Sequence, residues 1–438
     1  MIPSDCNTAG SPQTPGLNPF LPFGTYIPDG EPKVFGDRVY LYGSYDRFHE
    51  SYCSNCYHVV SAPTSDLTRW TDHGVSFTVD AVPWSDALLY APDALYYKGT
   101  YYLFFCLSDG TEGVAESDSP AGPFGNAKQI TLNGEPIKGI DPSVLEDRGK
   151  VYYTWGQFQL NMAELEEDLC TLKPETVHAD VLSNAPGREG FHEGSSLRKF
   201  GDRFCLIYAS EYVEAYPNRG GRPTKLDYAL SDNPYGPYER RGTVIDNEGC
   251  DPSSWNNHGS VIRIGSEWFV FYHASSNNSE FSRRARVERL SAEESAGIIN
   301  QAKPTTNGFV RTLLPDHIHS PVNADRFYGG AYVTQTADGR FPCVGLKDGA
   351  GFSFSPVSFE AGDYTVTVCY KSDTAAVLHL LLGDAAAHRI ALPVSRAYRE
   401  IQFEFETQSI RAPVRIGIEG PGKEDSCEIS SLSLLKKS

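Results

Sequence analysis

The sequence predicts an all-β chain, a five-bladed β-propeller followed by a β-sandwich. Three observations carry that expectation. Five segments repeat one hairpin pattern over the first two thirds of the chain. Aromatic and turn residues (25 Tyr, 23 Phe, 40 Gly, 29 Pro) are abundant, as in proteins built from many short strands. Beyond about residue 325 the repeat stops and strict apolar–polar alternation begins.

The hairpins read EPKVFGDRVYLYGS from Glu31, PDALYYKGTYYLFF from Pro92, DPSVLEDRGKVYYTWG from Asp141, EGSSLRKFGDRFCLIYAS from Glu193 and HGSVIRIGSEWFVFYHA from His258. Each has two apolar-rich runs around a tight glycine turn. The turn glycines, Gly36, Gly99, Gly149, Gly201 and Gly265, lie 63, 50, 52 and 64 residues apart. That period suits four-stranded blades better than helical solenoids. SAPTSDLTRWTDHG and ALSDNPYGPYERRG supply outer strands, and AELEEDL near residue 165 is the best helical candidate. Residues 1–16 form an extension, 17–324 the propeller with a connector packed on it, and 325–438 the sandwich. In the last unit, GAGFSFSPVSFEAGDYTVTVCYKS and HRIALPVSRAYREIQFEFE alternate at period two.

Charge and composition narrow the function. The 438 residues carry a formal net charge of −18, which disfavours nucleic acid or an anionic membrane as partner. No run of 18 apolar residues offers a membrane span. MIPSDCNTAGSPQTPG lacks the basic and apolar regions of a secretory signal, so a cytoplasmic location is expected, or a secreted one if a signal was removed. The ten scattered cysteines read as reduced thiols. HESYCSNCYH places His49, Cys53, Cys56 and His58 at zinc-like spacing, but one CxxC without a second pair favours an ordinary loop.

Counting back seven or eight residues from each turn glycine reaches Asp29, Pro92, Asp141, Glu193 and His258. Innermost propeller strands start at the central channel, so these positions converge on the axis. Acidic residues before strands are often only turn or cap residues. Three at one phase of one repeat, each in an apolar or Gly/Pro setting (IPDGEP, KGIDPS, FHEGSS), point instead to a shared site.

NPFLPFGTYIPDGEPKVFGDRVYLYGSYD, LLYAPDALYYKGTYYLFF, GIDPSVL, FHEGSSL and NNHGSV followed by SRRARVERL resemble glycoside hydrolase family 43, over residues 17–320. The resemblance implies a five-bladed inverting glycosidase for furanosides and pentosides. By position, Asp29 resembles the general base, Glu193 the general acid, and Asp141 the residue that orients the acid and tunes its pKa. An inverting enzyme needs its two carboxyl groups roughly 6.5–9.5 Å apart, a gap that opposite blades can provide. His258 resembles the histidine that supports a hydrated cation, a structural calcium or another ion, in the channel. No cofactor is otherwise required. Arg283 resembles the arginine that hydrogen-bonds sugar hydroxyls, with Arg284 or Arg286 as alternative registers or surface charges. Tyr90 is a candidate wall of the sugar pocket, and Trp155 either a second wall or an aromatic packed inside its blade. More faintly, the tail resembles a family 6 carbohydrate-binding module, with Tyr328, Tyr332 and Phe341 as candidate sugar platforms beside a purely structural reading.

The expected activity is therefore an exo-glycosidase releasing terminal α-L-arabinofuranosyl or β-D-xylosyl residues from plant-type oligosaccharides. Exo action follows from the expected location, where only short oligosaccharides arrive. The alternatives are a galactofuranosidase of the same mechanism, a retaining fructan-type enzyme, and a non-catalytic sugar-binding propeller.

Overall fold

A computed structural model describes residues 14–47, 51–182, 190–210, 224–247, 256–277, 279–335, 342–385, 387–420 and 427–437. The fold is all-β, and helix among the described residues is confined to short 3₁₀ turns.

Each of the five repeated segments forms an antiparallel hairpin that opens a sheet. The first sheet runs Glu31–Phe35, Arg38–Tyr42, Cys56–Pro63, Thr71–Thr78, and the second Asp93–Tyr97, Thr100–Cys106, Glu112–Ser117, Gly125–Gln129. The fourth runs Phe191–Phe200, Arg203–Ser210, Lys225–Ser231, Glu239–Asp246. The fifth holds Ser260–Ile264, Glu267–Ser276 and Ser279–Leu290. The third, opened by Ser143–Asp147 and Lys150–Trp155, has six strands. It gains them because Thr171–Leu172 pairs in parallel with Thr131–Leu132 of a small extra hairpin.

The hairpin turns come in two kinds, both legible in their residues. Lys98-Gly99 and Arg148-Gly149 have positive φ at both positions, while Gly36, Gly201 and Gly265 take it alone at the first position. These are the primed turn geometries that match strand twist.

The five opening strands meet at one buried polar network. Arg198 reaches Glu31 and Asp93, Lys33 pairs with Asp93 at 2.7 Å, and Ser143 Oγ donates to Asp93 at 3.2 Å. Ser196 donates to Glu31 at 3.0 Å and shares a 2.7 Å contact with Ser260, while Gly30 bridges Gly259. Each of these five sheets therefore contributes to one network, and charges too costly to bury singly are buried here in mutual contact.

The AELEEDL stretch is not a helix. Asn161–Leu165 is a strand, and the chain turns at Glu166–Leu169. Alternation decides it: Ala163 and Leu165 enter one core cluster and Met162 another. Glu164 between them is held by Lys150 at 2.7 Å and Lys173 at 3.0 Å.

The C-terminal region has two five-stranded antiparallel sheets around one core. Alternating residues such as Val366, Val368 and Tyr370, or Val414, Ile416 and Ile418, point into it. Leu313, Ile318, Val322 and Ala324 of the connector, and Leu17, belong to this same core. The expected boundary at 324/325 thus does not coincide with a change of core, because the connector's apolar side chains are buried among those of the tail.

Candidate active site

An open cavity of about 310 Å³ is lined by Asp29, Asp141, Glu193, His258, Arg283 and Tyr90. It also reaches Tyr52, Cys53, Gln157, His192 and Asn256. The carboxyl groups, the imidazole and the guanidinium expected to meet therefore do share one cavity.

Asp29 precedes the first opening strand and holds φ +57°. Its Oδ2 accepts from Ser44 Oγ at 2.6 Å and its Oδ1 from Arg283 Nη1 at 2.8 Å. Its own N–H donates to His273 Nδ1 at 3.2 Å, which leaves the ring hydrogen on Nε2 facing Asn256 Oδ1 at 3.0 Å. Burial opposes a charge on Asp29, but Arg283 first, then His258 and the Ser44 hydrogen bond, outweigh it and bring the pKa down to about 2. Burial and the Arg283 charge push His273 down to about 3, consistent with a neutral acceptor ring.

Asp141 occupies the same place before the third opening strand, again with φ +57°. Its N–H donates to Cys106 Sγ at 3.2 Å, and its Oδ2 accepts from Gly194 N–H at 3.0 Å. Burial, followed by the neighbouring Glu193 and Asp29 carboxyls, pushes it up to about 7 against the pull of His258. Glu193 is the more accessible carboxyl, at a bulged register of Phe191–Phe200, and its Oε2 accepts from Gln157 Nε2 at 2.7 Å.

His258 lies between them, its Nδ1 3.7 Å from Asp29 Oδ1 and 4.0 Å from Asp141 Oδ2, and its Nε2 3.8 Å from Glu31 Oε1. Burial disfavours a positive ring, but these carboxyls outweigh it and raise its pKa. Gly194 makes this approach possible: it has φ +68°, and a Cβ there would stand 2.9 Å from the His258 ring.

The arginine register is resolved by strand alternation. Arg283 turns into the cavity, and the alternate residues Ala285 and Val287 enter the propeller-side core. Arg284 and Arg286 face the other way and are buried, donating to the backbone carbonyls of Val322 at 3.0 Å and Ala324 at 2.9 Å. They are not surface charges, because the connector covers that face.

Tyr90 lines the cavity and is fixed through its carbonyl, which accepts from Tyr57 OH. Trp155 does not reach the cavity. It is 6% exposed and packs beside Tyr153 in the space left by Gly139, where a Cβ would stand 2.6 Å from the indole. His49 and Phe341 lie outside the described residues. Cys53 faces Arg283, whereas Cys56 contacts Ser54 and His58 stacks on Tyr45. Among the described residues no three His, Cys, Asp or Glu side chains are grouped to hold a metal ion. In the tail, the Tyr328 hydroxyl donates to Ile416 O and its ring stands over Gly351. Tyr332 covers Gly345 in the other sheet, so the two are not a pair on one face.

Asp46, Gln157, Tyr52 and His273 escaped the sequence reading. Asp46 closes the VYLYGSYD phrase, but its neighbours there suggest only the end of a strand. The others occupy no repeat phase that marks them.

Three carboxyl groups in one open cavity, one of them held ionised by a buried arginine, meet the needs of acid–base cleavage of a glycosidic bond, and the protein is a glycoside hydrolase. More narrowly, it belongs to glycosyl hydrolases family 43, whose family model matches residues 18–295. A xylosidase/arabinosidase of Thermoclostridium stercorarium is 33% identical over 339 residues, 68% of this chain and 69% of that protein. A family 43 β-xylosidase/α-arabinofuranosidase from a compost metagenome, solved with xylotriose in a calcium-free form, superposes with TM-score 0.54. It is 26% identical and covers 67% of this chain and 98% of its own. An arabinoxylan arabinofuranohydrolase of Bacillus subtilis shares the fold over 94% of this chain and 96% of its own, with TM-score 0.54 and 20% identity.

Proposed function

We propose that the chain is an exo-acting, inverting glycosidase that removes terminal α-L-arabinofuranosyl or β-D-xylosyl residues from plant-type oligosaccharides. The observation that carries this reading is the meeting of Asp29, Asp141 and Glu193 in one cavity, with Arg283 bonded to Asp29 and the Gly194 N–H to Asp141. Asp29, kept ionised by Arg283, is the general base that takes a proton from the attacking water. Glu193 is the general acid: Gln157 fixes Oε2, leaving Oε1 to deliver a proton to the glycosidic oxygen. Asp141 orients Glu193 through the Gly194 N–H and tunes its acidity. Tyr90 forms an apolar wall of the sugar pocket. The names of the relatives support the two sugars.

The five sheets are read as the blades of one propeller around the Arg198 network, and the two C-terminal sheets as a sandwich. A cation on the axis would meet His258 and Oε1 of Glu31, a buried oxygen that accepts no hydrogen bond and lies 3.8 Å from His258 Nε2, beside an Arg198 guanidinium that already lies against Glu31. Its contribution would be structural, as one hydrated charge in the channel, and none of the steps above passes through it.

Proton NMR of the first turnovers on p-nitrophenyl α-L-arabinofuranoside and β-D-xyloside tests the reading. The expected result is a first-formed sugar of inverted configuration and no methyl glycoside in added methanol. Retained configuration with transfer to methanol would make Asp29 a nucleophile and overturn it.

A further inference from the structure

Asp46 is 1% exposed and lies just beyond the strand Arg38–Tyr42. Its Oδ2 accepts from the Arg283 backbone N–H at 3.1 Å and from Arg283 Nε at 2.9 Å. Its Oδ1 accepts from Arg283 Nη2 and from the Cys53 N–H, both at 2.9 Å. Burial outweighs the pull of Arg283 and leaves the pKa of this carboxyl raised above the ordinary aspartate value, but the hydrogen bonds favour the charged form. With two N–H donors on each oxygen no acceptor is left for a carboxyl proton, so Asp46 is held as a carboxylate.

This contact decides what Arg283 can do. A guanidinium and a carboxylate prefer a two-pronged fork, and Asp46 takes that fork through Nε and Nη2. Nη2 also points at Cys53 Sγ at 3.5 Å, and the Tyr52 ring lies 4.8 Å from the guanidinium carbon. Only Nη1 remains, and it makes one bond to Asp29 Oδ1. Of the five N–H groups of an arginine, one on Nη1 is left for a sugar hydroxyl. Without Asp46, Arg283 could close its fork on both oxygens of Asp29 and cover the lone pairs that must face water.

We propose that Asp46 is a positioning residue for the general base: it occupies the fork of Arg283, so that Asp29 receives a single guanidinium bond and keeps a face open to water. This rests on the glycosidase reading above.

The test uses the full chain and a double-mutant cycle, with kcat and KM measured separately on the aryl glycoside that the wild type cleaves. Asp46→Asn is expected to lower kcat by about 10–100-fold, the scale of a slightly misplaced catalytic group, with KM changed by less than about threefold. Arg283→Lys keeps the charge but has no fork to misdirect. In that background Asp46→Asn should cost less than about threefold, because its route to Asp29 is gone. Equal losses in both backgrounds, or an Asp46→Asn variant with wild-type kcat, would overturn the proposal. Thermal unfolding and near-UV circular dichroism establish that each variant is folded. If Asp46→Asn does not fold, Asp46→Glu, which keeps the charge and displaces the fork, is judged by the same cycle. A wild type inactive on arabinofuranosides and xylosides alike would instead bring down the functional reading, whereas failure of the inference leaves an active wild type.

Discussion

Asp29 and Asp141 are the same residue type at the same phase of one repeat, both buried and both at φ +57°. In each case the N–H is received by a side chain from the second strand of a neighbouring sheet, His273 for Asp29 and Cys106 for Asp141. Yet one is pulled down to about 2 and the other pushed up to about 7. The backbone places them alike; the neighbours divide them. Asp29 has a guanidinium and a hydroxyl on its oxygens, whereas Asp141 has a single backbone N–H and faces Glu193. The repeat supplies positions, and residues outside its pattern supply the chemistry.

The largest test of this contrast is removal of the charges themselves. Asp29→Asn and Glu193→Gln should each lower kcat by about 10²–10⁴-fold, the worth of a positioned base or acid. Asp141→Asn should cost less, about 10–100-fold, since orientation through Gly194 partly survives. Steady-state kinetics on an aryl glycoside rank the three. Equal losses at Asp29 and Asp141 would erase the distinction.

Exchanging the neighbours should make the two aspartates more alike. Without its guanidinium, Asp29 would lose the largest of the groups that oppose burial, and its pKa would climb. In Arg283→Met the acidic limb of the kcat/KM profile should therefore move up by at least about one pH unit, as expected for loss of an adjacent opposite charge. An unmoved limb would show that Arg283 does not hold Asp29 ionised.

Stability should respond with opposite signs. Asp29, lowered on folding, contributes stability that is present above its unfolded pKa and is lost as pH falls through about 2. Asp141, raised on folding, is neutral at no cost below its unfolded pKa, and its stability is lost as pH rises through about 7. At pH 8, then, Asp29→Asn should lower Tm, while Asp141→Asn should raise it by about 2–4 °C. The second effect should fade by about pH 4. Calorimetry across this range reads both signs.

The smallest expected effect concerns the walls. Tyr90→Ala should raise KM by about tenfold, the scale of one apolar pocket contact. Trp155→Phe should leave KM within about twofold and cost about 1–3 kcal/mol of stability, because its indole fills core space. A large KM effect at Trp155 would return that ring to the pocket.

What could be read in advance follows the same division. The hairpins, their turn glycines and the carboxyls at one repeat phase were legible, because strand period and turn chemistry are local. Asp46 and Gln157 were not, since each matters only through a partner far along the chain, Arg283 and Glu193. AELEEDL misled for a related reason. Its composition favours a helix, but Ala163 and Met162 are buried in different cores, which a strand between two sheets satisfies and a one-sided helix does not. Trp155 could be read as a sugar wall or as blade packing, and the core slot beside Gly139, remote in sequence, is what decides for packing. Arg283 could not be told from Arg284 or Arg286 while the covering of the opposite face was unknown.

The strand Ser279–Leu290 behaves as a molecular reading frame. Its odd residues from 283 to 287 serve the cavity and the core beneath it, while Arg284 and Arg286 grip the connector. A one-residue slip would exchange these two sets. Slipped one way, Arg284 would stand at the cavity while Ala285 and Val287 confronted the carbonyls of Val322 and Ala324 with no side-chain donor; slipped the other way, Ser282 would face the cavity and Ala285 the carbonyl of Ala324. Lengthening or shortening the loop before this strand by one residue would therefore be punished at the connector, far from any sugar. The tail's attachment acts as a proofreader for the position of an arginine it never touches.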